Sequence, residues 1–185
     1  MGRLPVLETE RLILRPAAPG LAKYTLAFYR KNAAALQPVE PTFPDDFLTL
    51  GFQRSMLRDE RAAATQGRSL RYWAFLKDDP QCTAGCAALN NIVWGAMRSC
   101  VIAYKIDIDL RKQGYGSELV NAMVELAFRG LGLHRVQADV MPRNLPSLAL
   151  AQRCGFHEEG RSPSYIQVNG VWEEHIHMVR LNEKD

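Results

Sequence analysis

The chain has 185 residues, 47% apolar and 23% charged, with a formal net charge of +3 and its acids and bases interspersed. That length suits one globular domain spanning residues 1–185, and the charge is too small and too scattered for a nucleic-acid or membrane footprint. The opening Met1-Gly2-Arg3-Leu4-Pro5 runs straight into charged residues, with no apolar stretch long enough for a signal peptide or a span, so the expected location is the cytoplasm.

Leu12 and Leu14 alternate with Arg11 and Arg15 before Pro16, which predicts a first strand across Leu7 to Pro16. A short helix is expected from Gly20 to Arg30 and a loop from Asn32 to Pro44, where Pro38, Pro41 and Pro44 interrupt any helix. A second helix should start at Asp45/Asp46 and end near Gly67. Three strand-like runs follow, Leu70 to Leu76, Cys82 to Asn90 and Ser99 to Ile108, separated by turn residues and read as an antiparallel meander.

After Gly116, Leu119, Val120, Met123, Val124, Ala127 and Phe128 recur one helical turn apart, so a helix should pack one face on the sheet until Gly130 and Gly132 close it. Arg135 to Val140 alternates as a strand, and Leu145 to Arg153 is expected to be a short helix ending at Gly155. Tyr165 to Val168 and Val171 to Leu181 flank Asn169-Gly170, a two-residue hairpin signal. The sum is a mixed α/β sheet carrying helices on its faces.

The stretch Asp109-Leu110-Arg111-Lys112-Gln113-Gly114-Tyr115-Gly116-Ser117 joins a strand to an amphipathic helix, where free backbone N–H groups favour an anion. Its glycines remove side chains where a diphosphate would approach the backbone, and Arg111 and Lys112 add positive charge. A Gly-x-Gly turn alone also fits an ordinary loop. The pattern lacks G-x-x-x-x-G-K-[ST], and it lacks the third glycine and downstream acid of a dinucleotide fold.

Arg111-x-x-Gly114-x-Gly116 resembles the acetyl-CoA motif of the GNAT superfamily of N-acetyltransferases. Asn144-Leu145-Pro146-Ser147 followed by Arg153-Cys154-Gly155-Phe156 resembles a second segment of that superfamily. Leu7 to Arg15 is similar to the E-T-x-R-L-x-L-R opening of its RimJ/RimL branch, and Tyr165 to Trp172 to that branch's closing hairpin; within it, the ribosomal-protein alanine N-acetyltransferases look nearest. The resemblance covers nearly the whole chain. It implies an α/β GNAT fold, a mixed, largely antiparallel sheet splayed at the acetyl-CoA site with helices on both faces, and acetyl-CoA as cosubstrate.

The resemblance further implies that pantetheine lies between the strand ending near Ile106 and the strand Arg135 to Met141, pairing with backbone around Ile106 and Ile108 as an added strand would. Lys112, Gln113, Gly114, Tyr115, Gly116 and Ser117 would hold the diphosphate beside Arg111, and Asn144 would bind the pantetheine arm or aid the acceptor side. This chain has Ala151 where many superfamily members carry an acidic tyrosine, so Ser147 becomes the candidate acid for the departing thiolate; a helix-capping hydroxyl is the other reading of that serine. An α-amine, with a reference pKa of about 7.7–8.0, needs less help losing its proton than a lysine near 10.4. Asp107, Asp109 and Glu173 or Glu174 are candidate bases, directly or through a water, with Tyr104 a weaker one, although a solvated surface charge is the plainer reading of each acid.

Trp73, Trp94, Tyr165 and Trp172 would line an acceptor groove or simply fill core. Cys82, Cys86, Cys100 and Cys154 are expected to be reduced thiols, and His134, His157, His175 and His177 show no spacing that compels a metal. Three readings stay open: acetylation of a protein N-terminus, acetylation of a small amine such as an aminoglycoside or polyamine, and a non-catalytic acetyl-CoA-binding module.

Overall fold

In a computed structural model, residues 4–183 are described; Met1, Gly2 and Arg3, part of the N-terminal reading above, lie outside them. Eight strands form one sheet: β1 (Leu7–Glu8), β2 (Leu12–Pro16), β3 (Leu70–Leu76), β4 (Thr83–Val93), β5 (Ser99–Ile106), β6 (Arg135–Val140), β7 (His157–Val168) and β8 (Val171–Leu181). They lie in the order β1-β2-β3-β4-β5-β6-β8-β7. The helices are α1 (Ala22–Leu36), α2 (Leu50–Thr65), α3 (Tyr115–Glu125) and α4 (Leu145–Arg153).

Period-2 alternation assigns the two faces. Tyr72 and Ala74 of β3 face a core shared with Leu119, Val120, Met123 and Val124 of α3 and Ala151 of α4. Their neighbours Trp73 and Phe75 face a second core with Phe28, Tyr29 and Leu36 of α1 and Leu57 of α2. Helices therefore cover both faces. Trp73 is fully buried, 5.6 Å from the Phe28 ring and 5.7 Å from that of Tyr29, so it is core and not groove. The sheet contributes only β3 and β4 residues to the second core, and Ala103, in the middle of β5, stays exposed on that face.

Several expected boundaries move. The first strand is a tight hairpin, β1 on β2, with Leu7 opposite Leu14. Helix α1 runs six residues past Arg30, because Ala33, Ala34 and Ala35 are strong helix formers and Pro38 is the first breaker. Helix α2 starts later than Asp45/Asp46, where the Thr49 side chain accepts from Phe52 N–H at 3.2 Å. Asn169 and Gly170 take φ of 49° and 81°, the left-handed pair of a type I′ hairpin. No described helix is long and apolar enough to cross a membrane.

Candidate functional site

The sheet splits in its middle. Strands β5 and β6 are the only parallel neighbours, and they pair through Ser99↔Arg135, Cys100↔Val136 and Val101↔Gln137 and no further. Beyond Val101, β5 continues on β4 as far as Ile106↔Gly85, and β6 continues on β8 through Asp139↔His177 and Val140↔Ile176. A wedge-shaped gap therefore opens beyond Val101 and Gln137, with the unpaired backbone of β5 from Ile102 to Ile106 along one side. Backbone groups left unpaired in this way need a partner.

At the wide end of the gap, β5 turns into α3 through Asp107 to Gly114. Lys112 takes φ of 60° and Gly114 φ of 90°, a conformation that only glycine adopts without strain. Gly114 begins α3, so the N–H groups that follow it have no carbonyl one turn behind them. Gly116 lets the helix start press into the mouth of the gap: a Cβ there would meet Leu150 Cδ2 at 3.0 Å and Ile106 Cγ1 at 3.5 Å. Ser117 Oγ is buried with no hydrogen-bond partner among the described residues. Arg111, Lys112 and Gln113 are exposed, and Gln113 Nε2 donates to Asp109 O at 2.7 Å. A diphosphate fits this set: oriented donors, two exposed cations and an orphaned hydroxyl.

The opening hairpin clamps this loop. Glu118, in the first turn of α3, accepts from Arg11 N–H at 2.7 Å and from Arg11 Nε at 2.9 Å, and the Thr9 hydroxyl donates to it as well. The Arg11 guanidinium also donates to Gln113 O at 3.0 Å and lies 4.2 Å from the centre of the Tyr115 ring. Burial would raise the Glu118 carboxyl, but the donors from Thr9 and Arg11 win and hold it below its ordinary value. That gives the E-T-x-R element a physical task, fixing where α3 begins.

Asp107, expected as a base, is instead an anchor. Its side chain is 4% exposed and accepts from Lys31 Nζ at 2.7 Å, Asn32 Nδ2 at 3.1 Å and Asp109 N–H at 3.0 Å. Burial pushes the carboxyl up, yet those donors outweigh it and leave it below the usual range, so it has little tendency to take a proton. Lys31 also pairs with Asp109 at 2.8 Å, Glu173 is paired with Arg143, and Glu174 lies 3.7 Å from Arg161.

Tyr104 and Ser147 meet across the gap on the α3/α4 side. The Ser147 hydroxyl donates to Tyr104 Oη at 2.9 Å, and Tyr104 Oη donates to the Ser147 carbonyl at 3.1 Å. Burial pushes the phenol up to about 12, so Tyr104 stays protonated and cannot serve as a base. Ser147 does not cap α4; Asn144 does, its Oδ1 accepting from Ser147 N–H at 3.3 Å. The Ser147 hydroxyl is thereby left to Tyr104 and not to a cap, and the Asn144 amide nitrogen has no partner among the described residues.

The face opposite α3 and α4 carries a cluster that sequence reasoning missed. Asp139 Oδ1 lies 2.6 Å from His177 Nδ1 and accepts from Gln137 Nε2 at 2.7 Å, while His177 Nε2 lies 2.8 Å from Ser162 Oγ. The signal was present only as the polar half of two alternating strands, 38 residues apart. Nearby, Tyr165 and Trp172 are exposed on the closing hairpin, and Trp94 is exposed far from it with its indole N–H on Gly67 O at 3.0 Å. The hairpin tip is tied to the end of α1: Asn169 Nδ2 donates to Gln37 O at 2.7 Å, and Arg143 donates to Pro38 O at 3.2 Å.

A family model describing the acetyltransferase (GNAT) domain matches residues 11–157. A probable N-acetyltransferase, YjcK, of Bacillus subtilis is 29% identical over 180 residues, covering 97% of this chain and 99% of its own length. The [ribosomal protein uS5]-alanine N-acetyltransferase of Escherichia coli is 27% identical over 170 residues, covering 92% of this chain and 87% of its own. Among solved structures, Mycobacterium smegmatis RimJ in complex with CoA-disulfide superposes with a TM-score of 0.87 at 28% identity, covering 94% of this chain and 83% of that one.

Proposed function

From a chain that belongs to the GNAT acetyltransferase family, and so transfers acetyl groups from acetyl-CoA to an amine, we propose that the acceptor is the N-terminal α-amine of a protein. One observation carries this reading: the likeness to the uS5-alanine acetyltransferase runs over 92% of the chain, so it reaches well beyond the loop before α3 and includes the α1–α2 segment. The second core stops at β3 and β4 and leaves Ala103 of β5 exposed, which supports it, since an extended peptide end can lie along a sheet face there. A ribosomal-protein acceptor would place the enzyme in the cytoplasm.

In this reading the N–H groups from Lys112 to Ser117, with Arg111, hold the diphosphate. The pantetheine arm pairs with the backbone of β5 toward Ile106, and the Asn144 amide donates to it; Ile108, expected to pair as well, lies past the end of β5 in a 3-10 turn with its N–H donating to Asn32 Oδ1 at 2.8 Å. The amine attacks directly in a ternary complex. A free β5 N–H stabilises the developing oxyanion, an effect of about 3–4 kcal/mol for one well-placed donor. Ser147 gives its proton to the departing thiolate, and Tyr104 orients that hydroxyl. Asp107 fixes the end of β5 against α1 and takes no part in proton transfer.

The test is mass spectrometry of protein N-termini from host cells with and without this protein, alongside CoA release from acetyl-CoA with alanyl- and seryl-peptides and with spermidine. The proposal expects one or more N-acetyl marks to vanish and peptides to outcompete spermidine. Preferred turnover of spermidine would assign the enzyme to small amines instead.

A further inference from the structure

The Asp139 carboxylate beside the narrow end of the gap has no role in the function described so far. Asp139 follows the last β5–β6 pair by two residues, so on the parallel register it stands opposite the exposed Ala103, where the strands have just parted. Its side chain points to the face that α3 and α4 leave free, because its neighbours Ala138 and Val140 are buried in the core beneath those helices. Helices α3 and α4 pack on the other face, so this face is the open approach to the gap. Asp139 is the acid on it beside the point where the strands part.

The carboxylate is also held in a way that leaves one oxygen available. Its side chain is 8% exposed, and Oδ1 takes both neighbours, Gln137 Nε2 at 2.7 Å and His177 Nδ1 at 2.6 Å. A carboxylate oxygen that close to Nδ1 requires a ring proton between them, so His177 acts as a donor that fixes the carboxylate plane. Ser162 Oγ, 2.8 Å from Nε2, fixes the ring in turn. Oδ2 has no partner among the described residues. Oδ2 thus remains able to accept from a donor or cation that comes to it.

We propose that Asp139 is the residue that receives the acceptor nitrogen: it holds the amine beside the thioester and takes its proton during transfer. The inference rests on the enzyme being an N-acetyltransferase but not on which amine it uses. When the free amine attacks the thioester carbon, the C–N bond forms, the carbonyl oxygen becomes an oxyanion and the nitrogen becomes positively charged. Asp139 Oδ2 stabilises that charge and accepts one N–H proton. The oxyanion then re-forms the carbonyl, the C–S bond breaks, and the thiolate leaves to be protonated as CoA thiol; the proton on Asp139 returns to solvent. Gln137 and His177 are positioning residues, and Ser162 orients His177.

The experiment compares wild type with Asp139→Asn, Asp139→Glu and His177→Gln in CoA release over a panel of amines, alanyl- and seryl-peptides, spermidine and free amino acids, using for each comparison the amine that wild type turns over fastest. Asparagine keeps an oxygen for Gln137 and His177, so acetyl-CoA affinity by calorimetry and the thermal midpoint should barely change while kcat falls about 100-fold. Glutamate should recover part of that loss, and His177→Gln, which keeps the carboxylate, should cost less than the asparagine variant. Wild-type kcat in Asp139→Asn at unchanged acetyl-CoA affinity would overturn the assignment. So would a larger loss in His177→Gln than in Asp139→Asn; should the asparagine chain unfold, the pH profile of kcat in His177→Gln decides, since removing the carboxylate's donor should shift it, and an unchanged profile would overturn the assignment. Failure of peptides as substrates, with an intact Asp139 effect on another amine, would overturn only the acceptor class.

Discussion

The two ends of the β5–β6 gap are built differently. At the α3 end, backbone geometry makes the site: left-handed Lys112 and Gly114, the close approach at Gly116 and the start of a helix. At the narrow end, side chains from strands distant in sequence make it: Asp139, Gln137 and His177 on one face, Ser147 and Tyr104 on the other. A donor shared by many enzymes can be gripped by a local loop with a recognisable spelling, whereas an acceptor that varies must be read by groups that tertiary structure alone assembles.

That contrast can be broken most severely at Gly114. A valine there would hold φ near 90° against a strain of about 1–3 kcal/mol, and its Cβ would start 3.0 Å from Arg11 Nη2. Acetyl-CoA affinity by calorimetry should fall on the order of 10- to 100-fold, while a peptide's KM, measured at saturating acetyl-CoA, stays near wild type. Parallel losses at both substrates would mean that the two ends are one unit.

Ser147→Ala sharpens the comparison at the point where the two ends meet. Turnover should slow by roughly tenfold, since a thiolate leaves tolerably without an acid, and acetyl-CoA affinity should hold because Asn144, not Ser147, caps α4. An unaltered kcat would remove Ser147 from the chemistry.

The smallest effect is one of pH, and it tests the anchors behind the gap. Asp107 and Glu118 both titrate below their ordinary values in the folded chain, burial opposing and donated hydrogen bonds prevailing. A carboxyl depressed by folding adds stability that is complete above its unfolded value, about 4, and is lost as pH falls through the lower folded value. Thermal midpoints should therefore owe a constant contribution to these two groups from neutral pH to about pH 5 and lose it below about pH 4. Asp107→Asn should make that acid decline shallower. An unchanged decline would show that Lys31 and Asn32 do not favour the charged form.

How much of this was legible follows the same division. Strand β6 and helix α4 fall where alternation and the Pro142/Asn144 break put them, and the glycine turn before α3 was readable because its left-handed backbone demands glycine locally. The first half of β7, from His157 to Ser164, was not read as strand: it lies on the sheet edge, largely exposed, with register shifts on β8 and Pro163 within it, so no buried face imposes a period of two. Asp107 looked like a base because its three donors come from α1, some 75 residues earlier, and from its own turn. Asp139 stood out only as one position of an alternating strand, because its partner sits on β8.

The tie between Asn169 and Gln37, residues 132 positions apart, has an evolutionary corollary. The wall proposed to meet the acceptor is a composite of an early segment and a late one, joined by a bond to a backbone carbonyl that any residue at position 37 can supply. Either half can drift in sequence without losing the join, but grafting a relative's hairpin alone would import half a wall. Exchanging substrate preference between such enzymes should require both segments to travel together.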